Sequence, residues 1–189
     1  LGASAPPDLA LLAAALLATA GIVPAANAVS ATASTGTTPG TSVRVDSTNE
    51  TLTITAPTGQ SLDGHTFTAV ELAKIIDATA VDGKITETAV STNGNLTANI
   101  ITAAKTAGAI DDDLKSDPMT WVAKTLTDSD TSPYAGKLRD FVTALANDTT
   151  VTKAATLPLT VSGNTATLTG EPGVYLVFDK ATGAASLPI

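Results

Sequence analysis

The sequence predicts a mainly β fold, an antiparallel sandwich with a helical insertion. Apolar residues alternate with polar ones at 43–45 and 52–54, the period becomes helical between about residues 96 and 147, and alternation returns at 157–161 and 166–168. A parallel α/β fold would alternate helices with strands along the chain. This chain groups them in blocks, which favours the antiparallel arrangement.

The first block contains strand and turn signals in a regular order. Two short alternating segments, 43–45 and 52–54, flank the polar residues 47–50 and predict a hairpin. The segment 65–78 is rich in β-branched and apolar residues and predicts a further strand region. Two Asp-Gly turn signals bound it: Asp63-Gly64 and Asp82-Gly83.

Three short helices are predicted in the middle block, at about 96–147. The first has apolar residues at helical spacing and a glycine stop: Leu96, Ile100, Ile101, Ala104 and Gly108. The second begins at Asp117-Pro118, an N-cap followed by proline at the first helical position. Ser132-Pro133 repeats that pattern, and an apolar face follows it: Tyr134, Leu138, Phe141 and Leu145.

The last block returns to strands. Segments 157–161 and 166–168 alternate, with a turn at 162–164 between them. Residues 170–173 form a second turn. The dense apolar segment 174–178 is the best candidate for the centre of a sheet.

The N-terminal residues are typical of a targeting segment. Leu9–Val23 is apolar and uncharged, and it is shorter than the roughly 20 residues of a membrane span. Ala26-Asn27-Ala28 offers small side chains for signal peptidase, so residues 1–28 are predicted to be a signal peptide cleaved after Ala28. Because Asp8 precedes the apolar segment and no Lys or Arg does, we interpret the start as truncated or miscalled. Residues 29–42 are small and polar and predict a flexible leader.

Composition and charge exclude several classes of function. The net charge is −8, and the chain has no Lys/Arg cluster to contact a nucleic-acid backbone or an anionic membrane. The absence of cysteine excludes disulfides, thiolate metal sites and cysteine nucleophiles. About one residue in six is Thr and aromatics are 3%, which favours an exported β-protein.

Two segments resemble a known family. Residues 63–69 (DGHTFTA) and 171–177 (EPGVYLV) are similar to the "G-x-T-F-x-A-Y" and "E-P-G-Y-Y-L-I" strands in the first domain of Gram-positive sortase-assembled pilins. Val70 and Val174 depart from the tyrosines usual there. The resemblance covers residues 43–182 and implies an immunoglobulin-like β-sandwich, secreted and exported to the cell wall.

The resemblance also implies a function. It points to a structural subunit of a pilus or fimbria, polymerised head to tail by a sortase, with sortase, neighbouring pilin subunits and host surface ligands as partners. The polymerising lysine motif and the sorting signal are expected downstream, so residues 183–189 are interpreted as the start of a linker. The alternative is a monomeric cell-wall-anchored adhesin that binds a host glycan or matrix protein.

No residue pattern predicts an enzyme, a cofactor site or a metal site. His65 is the only histidine and no G-x-S-x-G motif accompanies it, so we expect a solvated or locally hydrogen-bonded side chain. The acidic residues near the predicted helix starts are expected to stabilise helix N-termini. A calcium site among them is the alternative. Those residues are Asp111, Asp112, Asp113, Asp117, Asp128 and Asp130.

An intramolecular isopeptide bond is the third chemistry considered, because many pilin domains contain one. The family's lysine is usually on the first strand, whereas segment 43–55 has only Arg44. Lys74 with Glu71 and Asp179 remains, but strand parity predicts that Glu71 and Lys74 point to opposite faces. We therefore predict no isopeptide site. Core packing is preferred over a sugar-binding platform for the helical aromatic residues Trp121, Tyr134 and Phe141.

Overall fold

The computed structural model describes residues 10–14, 41–43, 50–56, 58–59, 61–81, 84–126 and 136–180, and it describes no side chains for 10–14, 41–43, 78–81 and 84–87. The strands are β1 (Ala10–Ala14), β2 (Thr41–Val43), β3 (Glu50–Thr55), β4 (Phe67–Val81), β5 (Lys84–Thr92), β6 (Leu157–Pro158), β7 (Thr160–Ser162), β8 (Thr165–Gly170) and β9 (Gly173–Asp179). The helices are α1 (Thr97–Thr106), α2 (Pro118–Thr125), α3 (Lys137–Ala146) and α4 (Thr149–Ala154), with a 3₁₀ turn at Asp111–Leu114.

The larger sheet is built around β4. Strand β9 lies between β1 and β4, and all three run antiparallel to their neighbours. The first half of β4 pairs with β9 and β6, and its second half pairs with β5 and β2. The predicted position of 174–178 inside a sheet is therefore confirmed.

The smaller sheet has the order β3-β8-β7 and is also antiparallel. The predicted hairpin between segments 43–45 and 52–54 is wrong, because β2 pairs with β4 while β3 pairs with β8. Alternation along a strand determines which side chains are buried but carries no information about a partner far along the chain.

The chain crosses between the sheets at Leu159. The sequence predicts one strand over 157–161, whereas β6 pairs with β4 and β7 pairs with β8. Leu159 is buried between the two short strands, and its N–H donates to the Phe67 carbonyl at 3.1 Å. A bend at the buried Leu159 therefore divides the predicted strand 157–161 into two short strands.

Two hydrophobic cores lie on opposite faces of the larger sheet. One joins the helices to that sheet, and its largest fully buried members include Leu72, Ile100, Met119, Phe141, Leu145 and Leu176. The other is shared by the two sheets and includes Ile54, Leu62, Phe67, Ala166, Leu168, Tyr175 and Val177. Alternate residues of β9 enter opposite cores, which explains why residues 174–178 are all apolar or aromatic.

The fold is mixed, not mainly β as predicted, since four helices accompany two antiparallel sheets. The start of α2 at Asp117-Pro118 is confirmed, and so is the stop after α1, where Gly108 has φ +101°. Helix α4 was not predicted and extends the helical region beyond residue 147; Asp148 caps it. The predicted Ser132-Pro133 start and Tyr134 lie outside the described residues.

Strand β1 lies within the predicted signal peptide. Its backbone pairs with β9 from Ala10–Phe178 to Ala14–Val174. The rest of segment 1–28, the leader up to residue 40 and the linker 183–189 lie outside the described residues. Cleavage after Ala28 remains a prediction, and it would remove this strand from the β9 edge. Among the described helices, none has the length and apolarity that a bilayer crossing requires.

Candidate functional site

A β-bulge in β4 is the first feature of the candidate site. The register between β4 and β9 shifts between Glu71 and Ala73, so Leu72 is the extra residue. Asn93 stabilises the bulge, because its side-chain amide donates to the Glu71 carbonyl and its backbone N–H to the Leu72 carbonyl, both at 2.8 Å.

The bulge reverses which residues of β4 face each core. Before it, Ala69 lies in the core shared by the sheets; after it, Ala73 lies in the helical core. Counting alternate residues across Leu72 therefore assigns Lys74 to the wrong face of β4. The prediction that Glu71 and Lys74 point to opposite faces is wrong. The two side chains are on the same side and attract each other electrostatically.

Four side chains meet there and form what we call the bulge cluster: Glu71, Lys74, Glu171 and Tyr175. Lys74 forms an ion pair with Glu171, and both side chains are about half exposed. The Tyr175 hydroxyl donates to the Glu171 backbone carbonyl at 2.6 Å and lies 3.4 Å from the Glu71 carboxylate. The cluster thus joins β4, β9 and the turn between β8 and β9.

Burial and charge shift the titration of three members of the cluster. Burial raises the pKa of Glu71, partly opposed by the attraction of Lys74. The hydrogen bond to Glu171 raises the pKa of the exposed Lys74 amine. Burial, with the nearby Glu71 carboxylate, raises the pKa of Tyr175 to about 12. Lys74 is therefore held as an ammonium ion and Tyr175 as a neutral phenol at physiological pH.

The turn at 171–172 carries the chain from the smaller sheet to the larger one, and it packs closely against the bulge. A Cβ atom built on Gly173 would lie 2.7 Å from the Ala73 carbonyl oxygen, closer than real side chains come. The Ile75 N–H donates to the Pro172 carbonyl at 3.0 Å. Only glycine fits at residue 173 without displacing backbone, which explains this position of the E-P-G sequence.

A second polar contact closes the opposite end of the β4–β9 ladder. His65 Nδ1 lies 2.7 Å from Asp179 Oδ2, and the two side chains are 5% and 15% exposed. The imidazole stacks on Phe67 with a centroid distance of 5.8 Å. The Lys180 N–H donates to the Thr66 carbonyl at 2.7 Å beside them. His65 is thus hydrogen-bonded and not solvated, but its partner is 114 residues away along the chain.

The structure does not bring Lys74, Glu71 and Asp179 together. Asp179 is opposite Phe67 at one end of the ladder, whereas Lys74 is opposite Gly173 at the other. An isopeptide bond needs a buried, neutral amine, and Lys74 is exposed and charged. The geometry suits hydrogen bonding and charge pairing at the two ends of a strand pair.

The acidic residues considered as calcium ligands have other contacts. Asp111 pairs with Lys105 at 2.5 Å and Asp112 with Lys115 at 2.6 Å, and all four side chains are exposed. Asp117 caps α2, and its carboxylate also accepts hydrogen bonds from the Thr92 N–H and hydroxyl. No group of three metal-ligating side chains is found in the described ranges, and Asp128 and Asp130 lie outside them.

The described aromatic residues of the helical region contribute to the core, as predicted. Phe141 is fully buried among the helices, and Trp121 is partly buried against the same core.

No known protein-family model matches the chain, and no curated protein or solved structure is significantly similar to it.

Sequence reasoning missed the bulge cluster and the function of Asn93. A strand bulge depends on the partner strand and on residues about 20 positions away, so no local pattern indicates it. The cap at Asp148 could have been found, because an Asp before a Thr-Thr-Val segment is an N-cap signal.

Proposed function

We propose that the chain is the N-terminal domain of a structural subunit of a Gram-positive cell-surface pilus or fimbria, exported to the cell wall and polymerised covalently by a sortase. In this proposal the two sheets form an immunoglobulin-like β-sandwich with the helices outside it. Its partners are the sortase and neighbouring subunits, with host surface ligands as further contacts.

One observation supports the proposal most strongly. The two segments that resemble pilin strands, 63–69 and 171–177, enter strands that pair with each other: β4 pairs with β9, and each end of that ladder has its own polar contact. The E-P-G sequence has a physical reason at the close approach of Gly173. The His65–Asp179 and Lys74–Glu171 contacts tie the two strands and the adjoining turn together, which suits a domain whose work is mechanical.

Immunogold electron microscopy of cells that make the protein tests the proposal. An antibody raised against residues 43–182 is expected to label filaments along their length. Labelling confined to the wall surface, without filaments, would favour the monomeric adhesin, and labelling inside the cell would refute both. A deletion of the gene is the matched control for antibody specificity.

A further inference from the structure

Strand β3 is an edge strand of the smaller sheet. Strand β3 pairs with β8 through six consecutive residues, from Glu50–Gly170 to Thr55–Thr165. Within the described ranges no strand pairs with its other side. The backbone groups of that edge are therefore arranged to accept another strand.

This edge lacks the features that usually prevent strand addition. It contains no proline, lysine or arginine, and its pairing with β8 shows no bulge. Its residues alternate regularly: Leu52 and Ile54 pack into or against the core that the sheets share, while Thr51, Thr53 and Thr55 lie on the other face. A regular edge without a bulge is a template for pairing.

The strand is complementary to itself in an antiparallel arrangement. With a two-fold axis at Thr53, Thr51 lies opposite Thr55 of the second copy and Leu52 opposite its Ile54. Opposed residues then share a face, so threonine meets threonine and aliphatic meets aliphatic. A shift of one residue would place threonine opposite leucine. Glu50 lies opposite Ala56 of the second copy, which avoids a like-charge pair.

We propose that two copies of this chain associate through β3, so that two three-stranded sheets become one six-stranded sheet. The interface consists of main-chain hydrogen bonds flanked by threonine on one face and by Leu52 and Ile54 on the other. The net charge of −8 opposes association, so salt is expected to strengthen it. This association is independent of sortase chemistry and goes beyond the proposed function.

Cysteine substitution tests this register directly, since the natural chain has no cysteine. Thr53→Cys places two thiols opposite each other across the two-fold axis, within the Cα separation that a disulfide needs. Oxidised glutathione would accept the two electrons and become two glutathione thiols. The control is Thr167→Cys, which lies on the same face but between Thr53 and Thr160 on the central strand.

The 189-residue Thr53→Cys chain is expected to form disulfide-linked dimers at least about tenfold faster than Thr167→Cys, because pairing raises the effective thiol concentration. Sedimentation of the unsubstituted chain should show a concentration-dependent dimer, and Thr53→Lys should weaken it while circular dichroism stays unchanged. Equal oxidation rates of the two variants, or a monomer at all concentrations, would overturn the proposal. If both rates are equally slow, the edge is covered by another segment of the same chain, and the proposed dimer is wrong.

Discussion

Thr68 has a buried hydroxyl that no described residue satisfies. Its Oγ1 is inaccessible to solvent and has no hydrogen-bond partner among the described residues. An unsatisfied buried hydroxyl opposes folding, and valine has nearly the same shape without this cost.

Thr68→Val is therefore expected to raise the free energy of unfolding by about 1 kcal/mol. Urea denaturation followed by circular dichroism would measure it. Thr97→Val is the matched control, because the Thr97 hydroxyl donates to the Asn93 carbonyl at 3.2 Å and its loss should destabilise. Destabilisation by both variants would show that the Thr68 hydroxyl has a partner.

Glu71 of the bulge cluster is expected to make the stability of the protein depend on pH. Its folded-state pKa is raised by burial, so the folded protein binds more protons at this site than the unfolded chain does. As the pH rises, the free energy of unfolding therefore begins to fall near the ordinary pKa of 4.5. It continues to fall until the pH has passed the raised pKa of Glu71 in the folded protein. Deprotonated Glu71 therefore opposes folding at neutral pH.

Glu71→Gln is expected to stabilise the protein at pH 7 and to have little effect at acidic pH, where Glu71 is protonated in both states. The glutamine side chain can keep the contact with the Tyr175 hydroxyl, because its NH2 group can donate to the hydroxyl oxygen. Thermal unfolding at several pH values would measure the difference. Glu50→Gln is the control for the loss of one negative charge. A stability gain that is independent of pH would contradict the assignment.

A substitution at Gly173 tests how closely the turn before β9 packs against the bulge in β4. Gly173→Ala would place a methyl group against the Ala73 carbonyl oxygen, and backbone must move to accept it. We expect a loss of about 1–3 kcal/mol in the free energy of unfolding. Gly94→Ala is the control, since nothing lies within 4 Å of its Cβ position. Equal stability of both variants would mean that the turn is loosely packed.

The elements differ in how far local sequence determines them. The cap at Asp117-Pro118 and the stop at Gly108 were predictable, because both depend on backbone groups within a few residues. The partners of β2 and β3, the division at Leu159 and the bulge at Leu72 were not, because each depends on contacts with distant strands. The candidate site was missed for the same reason. Alternation along β4 predicts the face of each side chain correctly only up to the bulge at Leu72.

For the whole molecule, stability is expected to come from burial and hydrogen bonding without an internal covalent bond. Among the described residues, none of those that are buried is charged. Lys74, the lysine considered for an isopeptide bond, is exposed. The stability of a domain held in this way is ordinarily about 5–15 kcal/mol.

Intact-mass spectrometry of the purified chain checks this expectation. For the predicted mature chain, residues 29–189, the mass should equal that calculated from its sequence. An isopeptide bond would lower it by about 17 Da for an asparagine partner or about 18 Da for an aspartate partner. A deficit of either size that Lys74→Ala abolishes would contradict the assignment of Lys74 to a surface ion pair.

Covalent polymerisation is the central claim about function, and one immunoblot tests it most directly. Wall proteins are released from cells by a peptidoglycan hydrolase, boiled in detergent, separated by size and probed with antibody to residues 43–182. We predict a ladder of high-mass bands that collapses to a monomer when the sortase gene is deleted. A single monomeric band in cells with an intact sortase would contradict the proposal.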